Sequence, residues 1–306
     1  MLQDEGLRPA RDSERRWRNL ADFFKRMESD VIRGAALRAR FRRTVAETVS
    51  DRQGYFRVEL DHARARAGWN EVGLELVRNP EIRATGRVLV PPPAARFGVI
   101  SDIDDTIVYS NVLSKWRMIV SLAFSNARTR KPFKGVAAFY RALHRGVNPV
   151  FYVSKGPWNL YPLLVEFLEV QGLPLGPLVL RDFGLRMNRS HKTEAIEAIL
   201  QTYPALGFIL IGDSGEHDPE IYAQIVRRHP QRIRAIYIRS VDPNPSRILS
   251  IRKLMENVAP TGCQLVLAPD SELAAAHAAG EGLIAAAELA NVRADKKADL
   301  ARPKLA

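Results

Sequence analysis

The sequence predicts an α/β protein: a parallel sheet with helices on both faces and no large cap, preceded by a small β-rich unit. Three observations predict it. From residue 96 onward, continuous apolar runs alternate with stretches of helical period. Between about residues 35 and 90 the period is two instead. "PPPAA", residues 91 to 95, stiffens the chain between these regions and marks a boundary. The expected organisation is a helix plus a small sandwich-like β domain over 12–90, its start not necessarily complete. An α/β domain over 96–285 and a polar, fraying tail over 286–306 follow.

Taken in order, "DSERRWRNLADFFKRME" (residues 12–28) places Trp17, Leu20, Phe23, Phe24 and Met27 on one helical face. Such a basic amphipathic helix either packs on its own domain or lies on a membrane. "ALRARFRRTVAETVS" alternates in part, "DRQG" reads as a turn, and "YFRVEL", "NEVGLELV" and "TGRVLVP" continue the alternation, giving four or five strands. Beyond the prolines, "RFGVISDI", "NPVFYVS", "GPLVLRDF", "GFILIGDS" and "IRAIYIRSV" read as buried strands. "GVAAFYRALHRG", "NLYPLLVEFLEVQG", "HKTEAIEAILQTY" and "PEIYAQIVRRHP" read as the helices between them.

The chain has 306 residues, 46% of them apolar and 26% charged, enough for a sizeable core in a soluble protein. The single cysteine, Cys263, excludes an internal disulfide and a cysteine-rich zinc site, and suits a reducing, cytoplasmic setting. It precedes "QLVLAP" and reads as buried filler. The charged N-terminus has no signal-peptide core, and no stretch reaches the ~20 apolar residues of a spanning helix, so a soluble or peripheral protein is expected. A net charge of +12 attracts anions such as nucleic acid, acidic lipid or phosphorylated substrates, and is equally what a generally basic solvated surface would give. With no aromatic-interleaved basic motif and no zinc-finger spacing, nucleic acid is not expected.

The polar residues fall at the ends of the apolar runs. "VISDIDDTIVYS" gathers Asp102, Asp104 and Asp105 within four positions, where like charges repel. Ser154 ends the second strand, Lys192 opens a helix, and Asp213 and Asp218 follow "GFILIG". In a parallel sheet these positions converge on the carboxyl edge, where ligands sit. A hard divalent cation such as Mg²⁺, together with Lys192, would offset the repulsion. One carboxylate would remain free to attack an electrophile, and at phosphorus that attack gives an aspartyl-phosphate.

This arrangement resembles the haloacid dehalogenase superfamily of phosphotransferases over roughly residues 96 to 241. "DIDDT" matches its first motif, Ser154 the second, Lys192 the third and "GDSGEHD" the acidic fourth. Further segments, "GRVLVPPPAARFGVISDIDDTI", "NARTRKPFKGVAAFYRAL", "PWNLYPLLVEFL" and "LIGDSGEHDPEIY", resemble the family of the fungal actin-patch phosphatidate phosphatase and its bacterial relatives. "DRQGYFRVEL" and "GWNEVGLELV" fit that family's β-rich N-terminal domain, so the likeness runs from about residue 15 to 285. The resemblance implies a Mg²⁺-dependent lipid phosphate phosphatase. It implies that Asp102 attacks phosphorus, that Asp104 protonates the leaving alkoxide and then activates water, and that Lys192 neutralises charge. Ser154 would bind a phosphoryl oxygen. Asp102, Asp213 and the main-chain carbonyl of Asp104 would bind the metal, and Asp218 would either add a ligand or orient Lys192. Thr106 orders the loop or touches substrate.

The chain departs from the family at "VSKGP", where Lys155 and Gly156 replace small hydroxyl residues; Lys155 would contact an anion or alter substrate choice. An additional glycine-rich segment at the start of the family's N-terminal domain is also missing. Asp105, Arg181, His191, His217 and Asn159 are further candidates, each also explained by a turn, surface or packing role. About 40 residues separate the first motif from "NPVFYVS" and a similar number separate Ser154 from Lys192, too few for a large cap. An open site suits a large or membrane-embedded substrate. Residues 112–133 read as an apolar flap with a basic edge, or as a core helix. The readings left open are a lipid phosphate phosphatase with peripheral contact to anionic membrane, a phosphatase of a protein or soluble phosphomonoester, and a non-catalytic module that binds acidic lipid.

Overall fold

A computed structural model of the chain describes residues 32–60, 65–104, 106–107, 135–181 and 190–301. Two compact units divide at Pro93 and Ala94. The helix read over 12–28 and the flap read over 112–133 lie outside the described residues, as does Asp105.

The first unit holds one antiparallel sheet among the described residues, in the order β2-β1-β3-β4. Its strands are β1 (Ala36–Phe41), β2 (Thr44–Val49), β3 (Gly68–Leu76) and β4 (Arg83–Val90). Alternation does the sorting: Leu37, Ala39 and Phe41 point inward from β1, and Ala39 and Phe41 pack with Val72 of β3. "YFRVEL", expected as a strand, has no ladder among the described residues, while Val58 and Leu60 pack on that small core. Its alternation reflects one-sided burial rather than pairing, and a single side-chain bond, Thr48 Oγ1 to the Arg57 carbonyl at 2.7 Å, ties it to β2. Where a sandwich was expected, the described residues thus form one sheet.

The second unit is the expected parallel sheet. Its six strands are β5 (Gly98–Asp102), β6 (Val150–Pro157), β7 (Leu178–Arg181), β8 (Phe208–Asp213), β9 (Ile233–Arg239) and β10 (Gln264–Ala268). Their order is β10-β9-β8-β5-β6-β7. β5 and β8 are buried along their whole length, as apolar runs covered on both faces must be. Helices α1 (Val136–His144), α2 (Tyr161–Val170), α3 (His191–Thr202) and α4 (Asp218–Arg228) follow the period of the sequence. α2 starts later than its apolar run because Trp158–Leu160 form a 3₁₀ turn and Pro162 sits in the first helical turn, where its missing N–H costs nothing.

Three helices and one strand complete the unit without having been read from sequence: α5 (Pro245–Val258), β10, α6 (Ser271–Gly280) and α7 (Glu288–Ala301). One face of the sheet packs α3, α4 and α5 on Ile100, Leu210, Ile236 and Ile238. α1 lies on the other, where Tyr140 meets Ser101 and Phe139 meets Tyr237 edge-on. Cys263 is buried, as expected of filler.

The polar tail expected over 286–306 is instead helical over Glu288–Ala301. Its charges find partners distant in sequence. Asp295 accepts from the Ala138 N–H at 3.0 Å, supplying the acceptor that Gly135 cannot give at the start of α1. Lys296 pairs with Asp270 at 2.7 Å and Glu272 at 2.9 Å, and Val292 is fully buried. No helix among the described residues is long and apolar enough to cross a membrane.

Candidate active site

The strand order reverses between β5 and β8. The chain leaves β5 toward β6 on one side, and β8 toward β9 on the other. A crevice opens at such a switch point beyond the carboxyl ends of the strands. Asp102 is the last residue of β5 and Asp213 the last of β8, so the apolar strands deliver one carboxylate each to the same place. Asp218 opens α4 just beyond. Ligand oxygens of Asp102, Asp213 and Asp218 all lie within 4.8 Å of one another, and all three residues are buried.

Among the described residues, one lysine answers them. Lys192, in the first turn of α3, is 1% exposed and places Nζ 3.0 Å from Asp102 Oδ1; it also donates to Asp218 Oδ1. Burial works against its charge, but the carboxylates of Asp102 and Asp218 outweigh that and hold its pKa above the ordinary lysine value. Burial raises Asp102 well above the carboxylate range; Lys192 opposes the rise and Asp218, Asp104 and Asp213 add to it. Burial and Asp218 likewise push Asp213 up to about 7. One ammonium therefore does not balance the cluster. Asp213 Oδ2 is buried and accepts no hydrogen bond among the described residues. Three carboxylates with such an orphaned oxygen are a donor set that fits a hard divalent cation.

The loop that carries the fourth motif is held from several sides. Asp213 Oδ1 accepts the N–H groups of Gly215 at 2.7 Å and Glu216 at 2.9 Å, and Asp218 Oδ2 accepts the Asp213 N–H at 3.2 Å. A Cβ on Gly212 would lie 2.3 Å from Asp218 Oδ2, so only glycine lets the strand end approach that carboxylate. Arg247 of α5 donates to the carbonyls of Ser214 at 2.7 Å and Glu216 at 2.5 Å, and forks onto the Glu220 carboxylate.

The remaining predicted residues gather at the same edge. Ser154, on β6, donates to Asp104 Oδ2 at 3.1 Å and accepts the Gly156 N–H at 2.9 Å. Asp104 is half-buried and its carbonyl accepts the Thr106 N–H at 2.6 Å. Its carboxylate is not one of the three that cluster. Thr106 is buried, with Oγ1 3.5 Å from Asp102 Oδ2, a contact at the outer limit of hydrogen bonding. Lys155 turns to Glu216, 2.8 Å away, and Lys192 lies 3.8 Å from the same carboxylate. Asp218 spends one oxygen on Lys192 and the other on the Asp213 N–H, an orienting arrangement.

Sequence reasoning missed Glu216 and Arg247. Glu216 lies inside the quoted "GDSGEHD", where an acidic residue two positions before Asp218 was the available signal. Nothing marks Arg247, which sits 29 positions beyond Asp218 on a helix the pattern did not reveal. His217 is exposed at the start of α4, and His191 begins α3. Both border Asp218 and Lys192 in sequence, but neither enters the carboxylate cluster. Arg181 ends β7 with a buried Nε that has no partner among the described residues, and the Asn159 side chain lies outside them. A groove of about 790 Å³ runs between α3 and α4, with Lys155, Ser190 and His217 at its head and Ala198 and Ile221 along it.

The parallel sheet thus ends its central strands in a buried cluster of aspartates faced by a buried lysine, the arrangement expected from the resemblance to the haloacid dehalogenase superfamily. Residues 97–240 match the family "Phosphatidate phosphatase APP1, catalytic domain". The chain is 34% identical over 151 residues to phosphatidate phosphatase APP1 of Saccharomyces cerevisiae, covering 47% of this chain and 26% of that protein. It is 32% identical over 152 residues to an uncharacterized protein of Schizosaccharomyces pombe, covering 47% and 25%. The chain thus spans about a quarter of the length of these relatives. A class C acid phosphatase from Bacillus anthracis with tungstate bound superposes with a TM-score of 0.34 at 14% identity, over 66% of this chain and 79% of that one.

Proposed function

We propose that this chain is a Mg²⁺-dependent phosphatase that hydrolyses phosphatidate or a related lipid phosphate through an aspartyl-phosphate on Asp102. The observation that carries the chemistry is the buried pairing of Lys192 with Asp102 beside the orphaned oxygen of Asp213. The likeness to the yeast phosphatidate phosphatase supports the lipid substrate.

In this reading an Asp102 oxygen attacks phosphorus as the ester P–O bond breaks, and Asp104 gives its proton to the departing alkoxide. Asp104 then takes a proton from water, which attacks phosphorus, breaks the bond to Asp102 and releases phosphate. The Ser154 hydroxyl, 3.1 Å from Asp104, keeps that carboxylate aimed in the free enzyme and turns its one O–H to a phosphoryl oxygen when substrate binds. Lys192 stabilises charge that grows on the transferring group, where a fixed cation in a dry site acts most strongly. Asp102, Asp213 and the Asp104 carbonyl would hold the Mg²⁺, with Asp218 completing the set or orienting Lys192. When bound, the ion neutralises phosphoryl charge. Thr106 orders the nucleophile loop, and Lys155, through Glu216, sets charge at the entrance. The enzyme would work in the cytoplasm and meet its substrate by peripheral contact with membrane.

The test is phosphate release from phosphatidate in mixed micelles, with and without Mg²⁺, for wild type and Asp102→Asn. Turnover that needs both the metal and Asp102 is expected. Asp102-dependent release from an aryl phosphate but not from phosphatidate would keep the chemistry and replace the substrate with another phosphomonoester. Release from neither would leave a module that binds acidic lipid without turning it over.

A further inference from the structure

We propose that the tip of the β1–β2 hairpin is a docking site for an anionic lipid surface. Residues 31–46 hold five arginines and no acidic residue. Arg38 is committed to Glu47 at 2.8 Å and Glu75 at 3.2 Å. Arg40, Arg42 and Arg43 cluster where the chain turns, and all three are exposed. Arg40 and Arg43 make no ion pair among the described residues. Arg42 lays its guanidinium carbon 5.6 Å from the Phe41 ring centroid.

The backbone adds a second observation. Arg42 adopts φ 54°, in the left-handed region that glycine or asparagine occupies at least cost. An arginine in that position carries its charge at the turn of the hairpin, in a conformation that favours other residues.

The patch is also apolar. Across the pair, Arg40 stands opposite Val45 and Ala36 opposite Val49, so these side chains share the outer face of the sheet. Val45 is 43% exposed and Val49 59%, both on β2, an edge strand. Arginines around the exposed Val45, with Val49 farther along the same strand beyond the Arg38–Glu47 pair, match an interface where cations meet headgroups and apolar side chains enter the boundary beneath. A nucleic acid would answer the charge but not the valines, and Phe41 is buried, so the tip offers no stacking platform. The substrate proposed above makes such a surface useful, but docking does not depend on turnover.

The experiment uses the full chain in EDTA, which separates binding from hydrolysis. Sedimentation is measured with vesicles of phosphatidylcholine alone and with added phosphatidylserine. Wild type should bind the anionic vesicles, more weakly as salt rises. Each arginine near such a surface is worth about fivefold in partitioning, so Arg40→Gln/Arg42→Gln/Arg43→Gln should bind about a hundredfold more weakly. A charge-matched control, Arg52→Gln/Arg66→Gln/Arg78→Gln, removes exposed arginines elsewhere in the same unit and should lose far less. Equal melting temperatures and equal turnover of a soluble aryl phosphate show that each variant is folded. Equal loss in both triple variants, equal binding to neutral and anionic vesicles, or a preference for duplex DNA over anionic vesicles would each overturn the proposal.

Discussion

Gly212→Ala tests how closely the fourth-motif loop must pack. The added Cβ would sit 2.3 Å from Asp218 Oδ2, 2.7 Å from its Cβ and 2.8 Å from its Cγ. Real Cβ atoms keep at least 3.0 Å, so the Asp218 side chain must retreat by about 0.7 Å. It has little room to do so: Asp218 is buried, begins a helix with Pro219 next to it, and bonds Lys192 and the Asp213 N–H. Overpacking of this kind costs about 1–3 kcal/mol of stability. A misplacement approaching 1 Å in a reacting constellation costs about a hundredfold in rate, or about 2.7 kcal/mol in barrier. The assay is phosphate release from an aryl phosphate over a Mg²⁺ titration, with thermal melts alongside. Gly280→Ala is the control, because a Cβ there meets nothing within 4 Å. A Gly212→Ala enzyme with wild-type rate and metal dependence would refute the claim that Asp218 must stand where it does.

Lys192→Met leaves two buried carboxylates without their cation. It should cost about 3–5 kcal/mol in stability and abolish measurable turnover, and urea unfolding should show the deficit shrinking when Mg²⁺ is added. Ser154→Ala removes a hydrogen bond to the Asp104 carboxylate worth about 1.5–3 kcal/mol and takes the acceptor from the Gly156 N–H, so kcat/KM should fall about tenfold to a hundredfold and the melting temperature should drop by several degrees. Glu220→Gln tests the clamp from Arg247. Burial raises the Glu220 pKa, but the Arg247 bonds more than offset this, so the folded value lies below the ordinary 4.5. The pair's contribution is therefore present above 4.5 and lost as pH falls through the lowered folded value. With Glu220 41% exposed, it amounts to less than about 1 kcal/mol. Unfolding of wild type and Glu220→Gln should differ at neutral pH and converge well below 4.5, and a difference that persists in acid would contradict the clamp.

The sequence by itself determined the kind of each central element and the chemistry at its end. A strand buried on both faces must be apolar throughout, so "VISD" and "LIGD" show both the strand and the point where polarity returns. Helical period likewise revealed α1, α3 and α4, and with them the placement of Lys192 in a first turn, whereas the structure extends α4 back to take in Asp218. The alternation of "YFRVEL" was legible too, but it reports burial on one side and cannot say whether a backbone finds a partner. Only the tertiary structure decided what depends on long-range contact. The reversal of strand order between β5 and β8 is what brings Asp102 and Asp213 together. Arg247 reaches back to carbonyls about 30 positions earlier, and Asp295 caps a helix 157 positions away. A polar side chain on a helix reads as solvent-facing from period alone. Whether it instead meets an orphaned N–H or carbonyl depends on which surfaces the fold presses together.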